Sequence, residues 1–211
     1  MSSKTPPIRR RRADQGDGLR LKAEIVQAAI DLLTSTRSLD QVTMRAVARS
    51  VGIAAPSIYL HFADRDELVI AALTEANDRF AVALESADPG PRFGAKRRLH
   101  AVGMAVIVFA SEQAGCYQIL FAGLLPGELI GVDMTAELPS SFAVIYRVAA
   151  ASLGHTGPVV AGALDADAMQ VALQMWASLH GYVTLRTNMP GFPWPEPERA
   201  LTALVDLVRT L

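Results

Sequence analysis

Apolar residues in this chain return every third or fourth position and almost nowhere every second. Leu21, Ile25, Ala28, Ala29, Leu32 and Leu33 set the pattern early. A period near 3.6 gives each such segment one apolar stripe, which must be buried against a neighbour. Runs of alternating β-branched and aromatic residues, the mark of half-buried strands, are nearly absent. The chain is therefore expected to be all-α. The pattern places helices at about residues 19–33, 43–51, 54–62, 65–86, 92–111, 116–124, 136–153, 166–187 and 195–211. Gly52, Gly115, Pro126-Gly127, residues 154–158 and residues 190–193 punctuate them, and Asp88-Pro89-Gly90-Pro91 is the strongest break.

At 211 residues and 51% hydrophobic, the chain is too apolar to be disordered and long enough to bury a core. A membrane span is not expected. The longest uncharged stretch, residues 168–185, carries Gln170, Gln174 and Ser178 at i, i+4 and i+8, a polar stripe with no use in lipid. The charged N-terminus is followed by no apolar run, so no secretory signal is expected. Cys116 is the single cysteine, which excludes an internal disulfide and any cysteine-based zinc site. His100, His155 and His180 are isolated from one another, with no second ligand at i+4, so no metal is expected. The expectation is a soluble cytoplasmic protein without a cofactor.

The overall charge of −1 hides an uneven distribution. Residues 1–66 hold eleven Lys/Arg and seven Asp/Glu, and residues 67–211 hold nine and fourteen. A basic front end points toward nucleic acid, although charge by itself is also consistent with chance unevenness. Residues 1–18 contain Pro6, Pro7, Gly16, Gly18 and the run Arg9-Arg10-Arg11-Arg12, and read as a flexible basic arm. Either solubility or minor-groove and phosphate contact would account for that run.

Residues 43–62 form the most informative segment. Thr43 is placed to cap a short helix bearing Met44, Val47 and Ala48. Gly52 supplies a left-handed turn. Ala54-Ala55-Pro56-Ser57 then restarts a helix, with Pro56 tolerated in its first turn. Ile58 and Phe62 would anchor this hairpin inward, leaving Pro56, Ser57, Tyr59 and His61 outward. Two short helices joined by a glycine turn suit a DNA groove, and small residues at the second helix's start allow close approach. An ordinary helical hairpin buried in a core would have the same spacing. Asp64-Arg65-Asp66-Glu67 follows as a capping box for a long helix.

The residues Val42-Thr43-Met44-Arg45-Ala46-Val47-Ala48, Val51-Gly52-Ile53, Pro56-Ser57-Ile58-Tyr59-Leu60-His61-Phe62 and Asp64-Arg65-Asp66-Glu67-Leu68 closely resemble the TetR/AcrR family of bacterial transcriptional regulators. The resemblance covers about residues 19–80. It implies a three-helix DNA-binding domain there, and a larger helical domain over residues 81–211 that binds a small effector and dimerises. It also implies DNA contacts from Thr43, Arg45, Ala55, Pro56, Ser57, Tyr59, His61 and Arg65, with the arm residues Arg9, Arg10, Arg11 and Arg12. Trp176-Ala177-Ser178-Leu179-His180-Gly181 is similar to the Trp/His-Gly motif of one C-terminal subgroup. One departure stands out: where the family often has Ser or Thr followed by Lys or Arg, this chain has Ala54 and Ala55.

Between Leu99 and Gln174 there are seven charged residues, of which Arg147 alone is basic. A pocket there would have little to pair with a highly charged guest. The expected effector is small and mostly apolar, and the candidate lining residues are Met104, Phe109, Tyr117, Phe121, Phe142, Tyr146 and Trp176. The same side chains could simply fill a solid core. The partners expected are double-stranded DNA carrying an inverted repeat, the effector and a second copy of the chain, and the expected role is a repressor released by its effector. An activator or effector-independent regulator of the same fold is the alternative. A small helical enzyme is the alternative of another class, although no GxGxxG, Walker loop, HExxH or GxSxG is present. No catalytic residue is assigned. The last two helices, apolar over much of their surface, are expected to build a four-helix interface, with Leu204 and Val208 in it.

Overall fold

The computed structural model describes residues 15–36, 38–121, 138–155, 157 and 163–208. Among them the regular structure is entirely helical. Helix α1 spans Gln15–Thr36 and is followed by a 3-10 turn at Leu39–Gln41. Helices α2 (Met44–Val51), α3 (Ala55–Ile58) and α4 (Arg65–Ala87) complete the front of the molecule. Helices α5 (Ala95–Glu112), α6 (Ala114–Phe121), α7 (Ser140–Ser152), α8 (Ala166–Asn188) and α9 (Pro197–Val208) form the rest. No single helix among the described residues is long and apolar enough to cross a membrane.

Local chemistry sets the ends of these helices much as expected. Thr43 caps α2 by accepting from the Ala46 N–H at 3.1 Å. At the other end Gly52 adopts φ +76°, and the bonds Ile53 N–H to Ala48 O and Gly52 N–H to Arg49 O close a Schellman motif. Asp64 caps α4 through the Glu67 N–H at 2.9 Å. The Glu67 carboxylate reaches back one residue further than a standard capping box, to the Ala63 N–H at 2.6 Å. Several boundaries differ from expectation, among them the end of α3 at Ile58 and the start of α7 at Ser140. Helix α1 begins at Gln15 and so takes in the end of the expected arm; Asp17 in its first turn complements the helix dipole. Gly115 does not separate two helices but lies inside the first turn of α6.

Helix α4 is the spine. Its first half buries Leu68 and Val69 with Ile25, Ala29, Val42, Val47, Ile58 and Phe62, the core of the front unit. Its second half buries Ala76, Phe80 and Leu84 in the larger body. The boundary expected near residue 80 therefore falls inside a continuous helix, and the core runs through it. Helix α1 packs on α2, α4 and α6, which makes it a second bridge between the two parts. Polar ties fasten α4 to α7: the Asn77 amide and Ser140 hydroxyl at 2.6 Å, Ser141 donating to Asn77 at 2.6 Å, and Arg147 to Glu85 at 3.3 Å. Arg79 of α4 also donates to Gln27 of α1 at 2.7 Å.

At the α4–α5 junction Gly90 turns the chain with φ +89°. Beside it the buried Arg98 makes a two-pronged ion pair with Asp88, at 2.8 and 2.6 Å. Helix α9 lies close against α5, because at Gly103 an added Cβ would come within 2.6 Å of Leu201. The expectation that Val208 faces a second copy fails here. Leu201, Val205 and Val208 are buried within the protomer, and Leu204 is half-buried. The Leu201, Val205 and Val208 part of the α9 stripe lies on its own core, while Leu207 stays 61% exposed.

Candidate nucleic-acid interface and ligand cavity

The hairpin at residues 43–62 presents an outward face built on a buried base. Ile58 and Phe62 are essentially inaccessible, as their spacing requires. Helix α3 is a single turn, continued to Phe62 by the bonds Leu60 N–H to Ser57 O, His61 N–H to Ile58 O and Phe62 N–H to Ile58 O. Its outward start, Ala55-Pro56-Ser57, carries no long side chain, so the backbone stands open to a close partner. Thr43, Arg45, Pro56 and Tyr59 are exposed, and Ala55, Ser57 and His61 half-exposed. Tyr59 leaves 57% of its surface free. Lys22 of α1 hangs over the Phe62 ring at 5.1 Å, adding a cation beside the hairpin. Arg9, Arg10, Arg11 and Arg12 lie outside the described residues.

Arg65 is placed differently from the sequence-based expectation of a DNA contact. Its guanidinium turns inward, donating to the Val42 carbonyl at 2.9 Å and the Leu39 carbonyl at 2.6 Å. These two carbonyls lie in the loop before Thr43, so Arg65 holds that loop instead of offering a free charge. Leu60, not singled out from the sequence, is 83% exposed. An apolar residue held open beside Tyr59 is suited to sugar or thymine-methyl contact. Its spacing of three from Ser57 was the available signal.

The effector candidates separate into three groups. Phe109, Tyr117, Phe121, Phe142 and Trp176 belong to one aromatic cluster, joined through Phe80 of α4 and His180 of α8. Phe80 lies 4.8 Å from Phe109, 5.9 Å from Tyr117 and 5.9 Å from Phe121 between ring centres. Phe121 reaches Trp176 at 6.0 Å, and Trp176 reaches Phe142 at 5.8 Å. Tyr146 stands apart; its hydroxyl accepts from the Asp165 N–H at 2.7 Å ahead of α8. Met104 of α5 is half-buried against the common core.

A cavity of about 410 Å³ opens beside this cluster, and of the candidates only Tyr117 and Phe121 line it. Its other walls were not read from the sequence. They are Leu33 and Thr34 of α1, Ala110 of α5, Ala114, Gln118 and Ile119 of α6, and residues of α8 from His180 to Asn188. No Lys, Arg, Asp or Glu is among these lining residues. The Tyr117 hydroxyl and His180 Nδ1 lie 3.2 Å apart and share a hydrogen bond. Burial pushes the Tyr117 phenol up and the His180 imidazole down, so both are neutral at physiological pH. The site therefore pairs an apolar floor with neutral hydrogen-bonding groups. Among the described residues no cluster of His, Cys, Asp or Glu is suited to a metal ion.

Two family models match the chain. The model described as bacterial regulatory proteins, tetR family, matches residues 25–72. The model described as tetracyclin repressor-like, C-terminal domain, matches residues 99–208. An uncharacterized HTH-type transcriptional regulator of Haemophilus influenzae is 42% identical over 52 residues, and the chain spans 25% of the length of that curated relative. Among solved structures, a Rhodococcus sp. RHA1 protein of unknown function superposes with a TM-score of 0.66 at 22% identity, covering 90% of this chain and 93% of that one. A tetR-family transcriptional regulator from Streptomyces coelicolor gives 0.61 at 21% identity, covering 89% and 80%. The transcriptional regulator FadR from Bacillus subtilis, in complex with stearoyl-CoA, gives 0.59 at 14% identity, covering 88% and 96%. At these identities the likeness to solved structures is one of fold.

Proposed function

Since the chain belongs to the TetR family of bacterial transcriptional regulators, we propose that it works as a cytoplasmic homodimeric repressor, released from its operator by a small uncharged effector. It is a DNA-binding regulator and not an enzyme. The observation that carries the reading is the open face of the hairpin, with Thr43, Arg45, Ser57, Tyr59 and Leu60 outward over a base fixed by Ile58 and Phe62. A dimer would set two such faces about 34 Å apart, one turn of the double helix, and so read an inverted repeat.

The dimer reading is supported by α8. Leu173 and Leu185 remain close to half exposed, with Ala177 and Ser178 between them on the open side. Gly181 lies in the same helix, and a Cβ added there would meet nothing within the protomer. A helix of a second copy could approach closely along that surface. The effector reading is supported by the cavity beside Tyr117 and His180, whose volume lies within the usual range for small-molecule sites of about 300–1,000 Å³. Its uncharged lining favours a guest without the phosphates of an acyl-CoA, the ligand of the Bacillus subtilis regulator. Release requires that the effector bind the DNA-incompetent arrangement more tightly than the competent one. The test is recovery of genomic DNA fragments on purified protein, followed by sequencing. A shared inverted repeat is expected; absence of affinity for any double-stranded DNA at low salt would overturn the reading.

A further inference from the structure

The cavity does not lie wholly within the larger body. One wall is the last turn of α1, at Leu33 and Thr34, and α1 belongs to the front unit through its packing on α2 and the Leu39–Gln41 turn. The facing walls belong to α6 and α8. At the edge of this cavity α6 touches α1 with no side chain of its own between them. A Cβ at Gly115 would fall 2.2 Å from Thr34 Cγ2, 2.4 Å from its Oγ1 and 2.8 Å from its Cβ. Gly115 has no positive φ, so its backbone conformation does not call for glycine. Contact distance does. By contrast a Cβ at Gly18, Gly94 or Gly181 would meet nothing. Packed interfaces of this kind have discrete arrangements and do not deform continuously.

Helix α4, the other link between the two parts, is fastened on both sides. Asn77 and Glu85 hold it to α7, and Arg79 holds it to α1. The α1–α6 seam at Gly115 is a van der Waals contact against Thr34, and the cavity is lined by Thr34 on one side and by Ala114, Tyr117 and Gln118 on the other. We infer that this seam is the joint on which the effector acts: an uncharged, compact ligand with an apolar body and one hydrogen-bonding group fills the cavity, parts Thr34 from Gly115, and turns α1 with its helix-turn-helix out of register for DNA. The inference rests on the reading of the protein as an effector-released DNA-binding regulator. It adds which ligand chemistry acts, and at which contact.

Gly115→Ala builds the wedge into the chain without any ligand. Titration of the full chain against its recovered DNA fragment, read by fluorescence anisotropy, should show affinity reduced by about tenfold or more, within the range of ordinary allosteric couplings. Thr34→Gly removes all three clashing atoms, so the double variant should regain DNA binding, and Thr34→Gly alone should keep it. N-phenyl-naphthylamine, neutral and carrying a single N–H, serves as the ligand probe. Its fluorescence should rise saturably with wild type and should not with Ala110→Trp or Thr184→Phe, which fill the cavity; the probe should weaken DNA binding in wild type alone. Circular dichroism and melting curves confirm that each variant is folded. A folded Gly115→Ala that binds DNA like wild type would overturn the inference. So would failure of Thr34→Gly to restore the double variant, absence of saturable probe binding to wild type, or probe binding without effect on DNA. Wild type that binds no DNA instead removes the regulator reading, before any variant enters.

Discussion

Tyr59 and Arg65 lie six residues apart and are both polar, but they do opposite work. Tyr59 stays out in solvent at 57% exposure, where its hydroxyl can reach a phosphate. Loss of that hydroxyl in Tyr59→Phe should weaken DNA binding by about 1 kcal/mol, because one hydrogen bond to a charged acceptor disappears. The loss should be similar across DNA sequences, since phosphates carry no base identity. Anisotropy titrations on the operator and on unrelated DNA check both parts; a loss confined to the operator would assign Tyr59 to base reading instead. Arg65 was indistinguishable from such a contact in the sequence. Its partners, the Val42 and Leu39 carbonyls, are more than twenty residues away, and only folding brings them under its guanidinium. Leu60 shows the converse. It is apolar, yet beyond the single turn of α3 it stays 83% exposed.

Elements are joined here by a few specific contacts, and the α4–α5 junction depends on the buried Arg98–Asp88 pair. The hydrogen bonds from Arg98 hold the Asp88 carboxyl below its ordinary value, against the opposing effect of burial, and Asp88 in turn raises Arg98. A carboxyl whose folded pKa lies below its unfolded value contributes stability that is complete above about pH 4 and lost as pH falls through the folded value. Asp88→Asn leaves a buried guanidinium without its counter-charge and should cost about 3 kcal/mol at neutral pH. The gap between variant and wild type should shrink below about pH 4, where wild type loses the pair as well. Urea unfolding across the pH range checks this; a gap that stays constant into acid would show that the ion pair contributes nothing. The other element-scale expectation concerns α8. Leu173→Glu, alone or with Leu185→Glu, should yield folded monomers that lose operator affinity, because both side chains are already close to half exposed in the protomer. Sedimentation velocity decides. Val208→Glu would instead unfold the chain, since that residue is 2% exposed on its own core.

Over the whole molecule, charge is divided as function would ask. The basic excess lies in residues 1–66 and the acidic excess in residues 67–211. A net acidic body would disfavour DNA there and favour its approach to the basic front. Removal of residues 9–12 should flatten the dependence of DNA affinity on salt, because fewer counterions are released on binding. Titrations at several salt concentrations measure that slope, and an unchanged slope would reduce the arm to a solubility tail.

Much of this architecture could be read from the residues because it is local. The Thr43 cap, the Gly52 turn, the Asp64 cap and the Gly90 turn each need only a few neighbouring atoms. The 3.6-residue period told which faces are buried, and so foretold Ile58 and Phe62 as anchors and the helical class. It could not tell what each buried face meets. Whether the α9 stripe turns to a second copy or to α5 depends on Leu201 finding Gly103, almost a hundred residues away. Whether Gly115 breaks a helix or lets one press on another depends on Thr34 of α1. The cavity is the clearest case. Five of the aromatic candidates from the back half do come together and Tyr146 does not, yet Leu33 and Thr34 on one wall and Thr184, Thr187 and Asn188 on another carry no chemical signature of their own. A void is bounded by residues whose only shared property is that distant segments have come together around it, and no period along the chain records that.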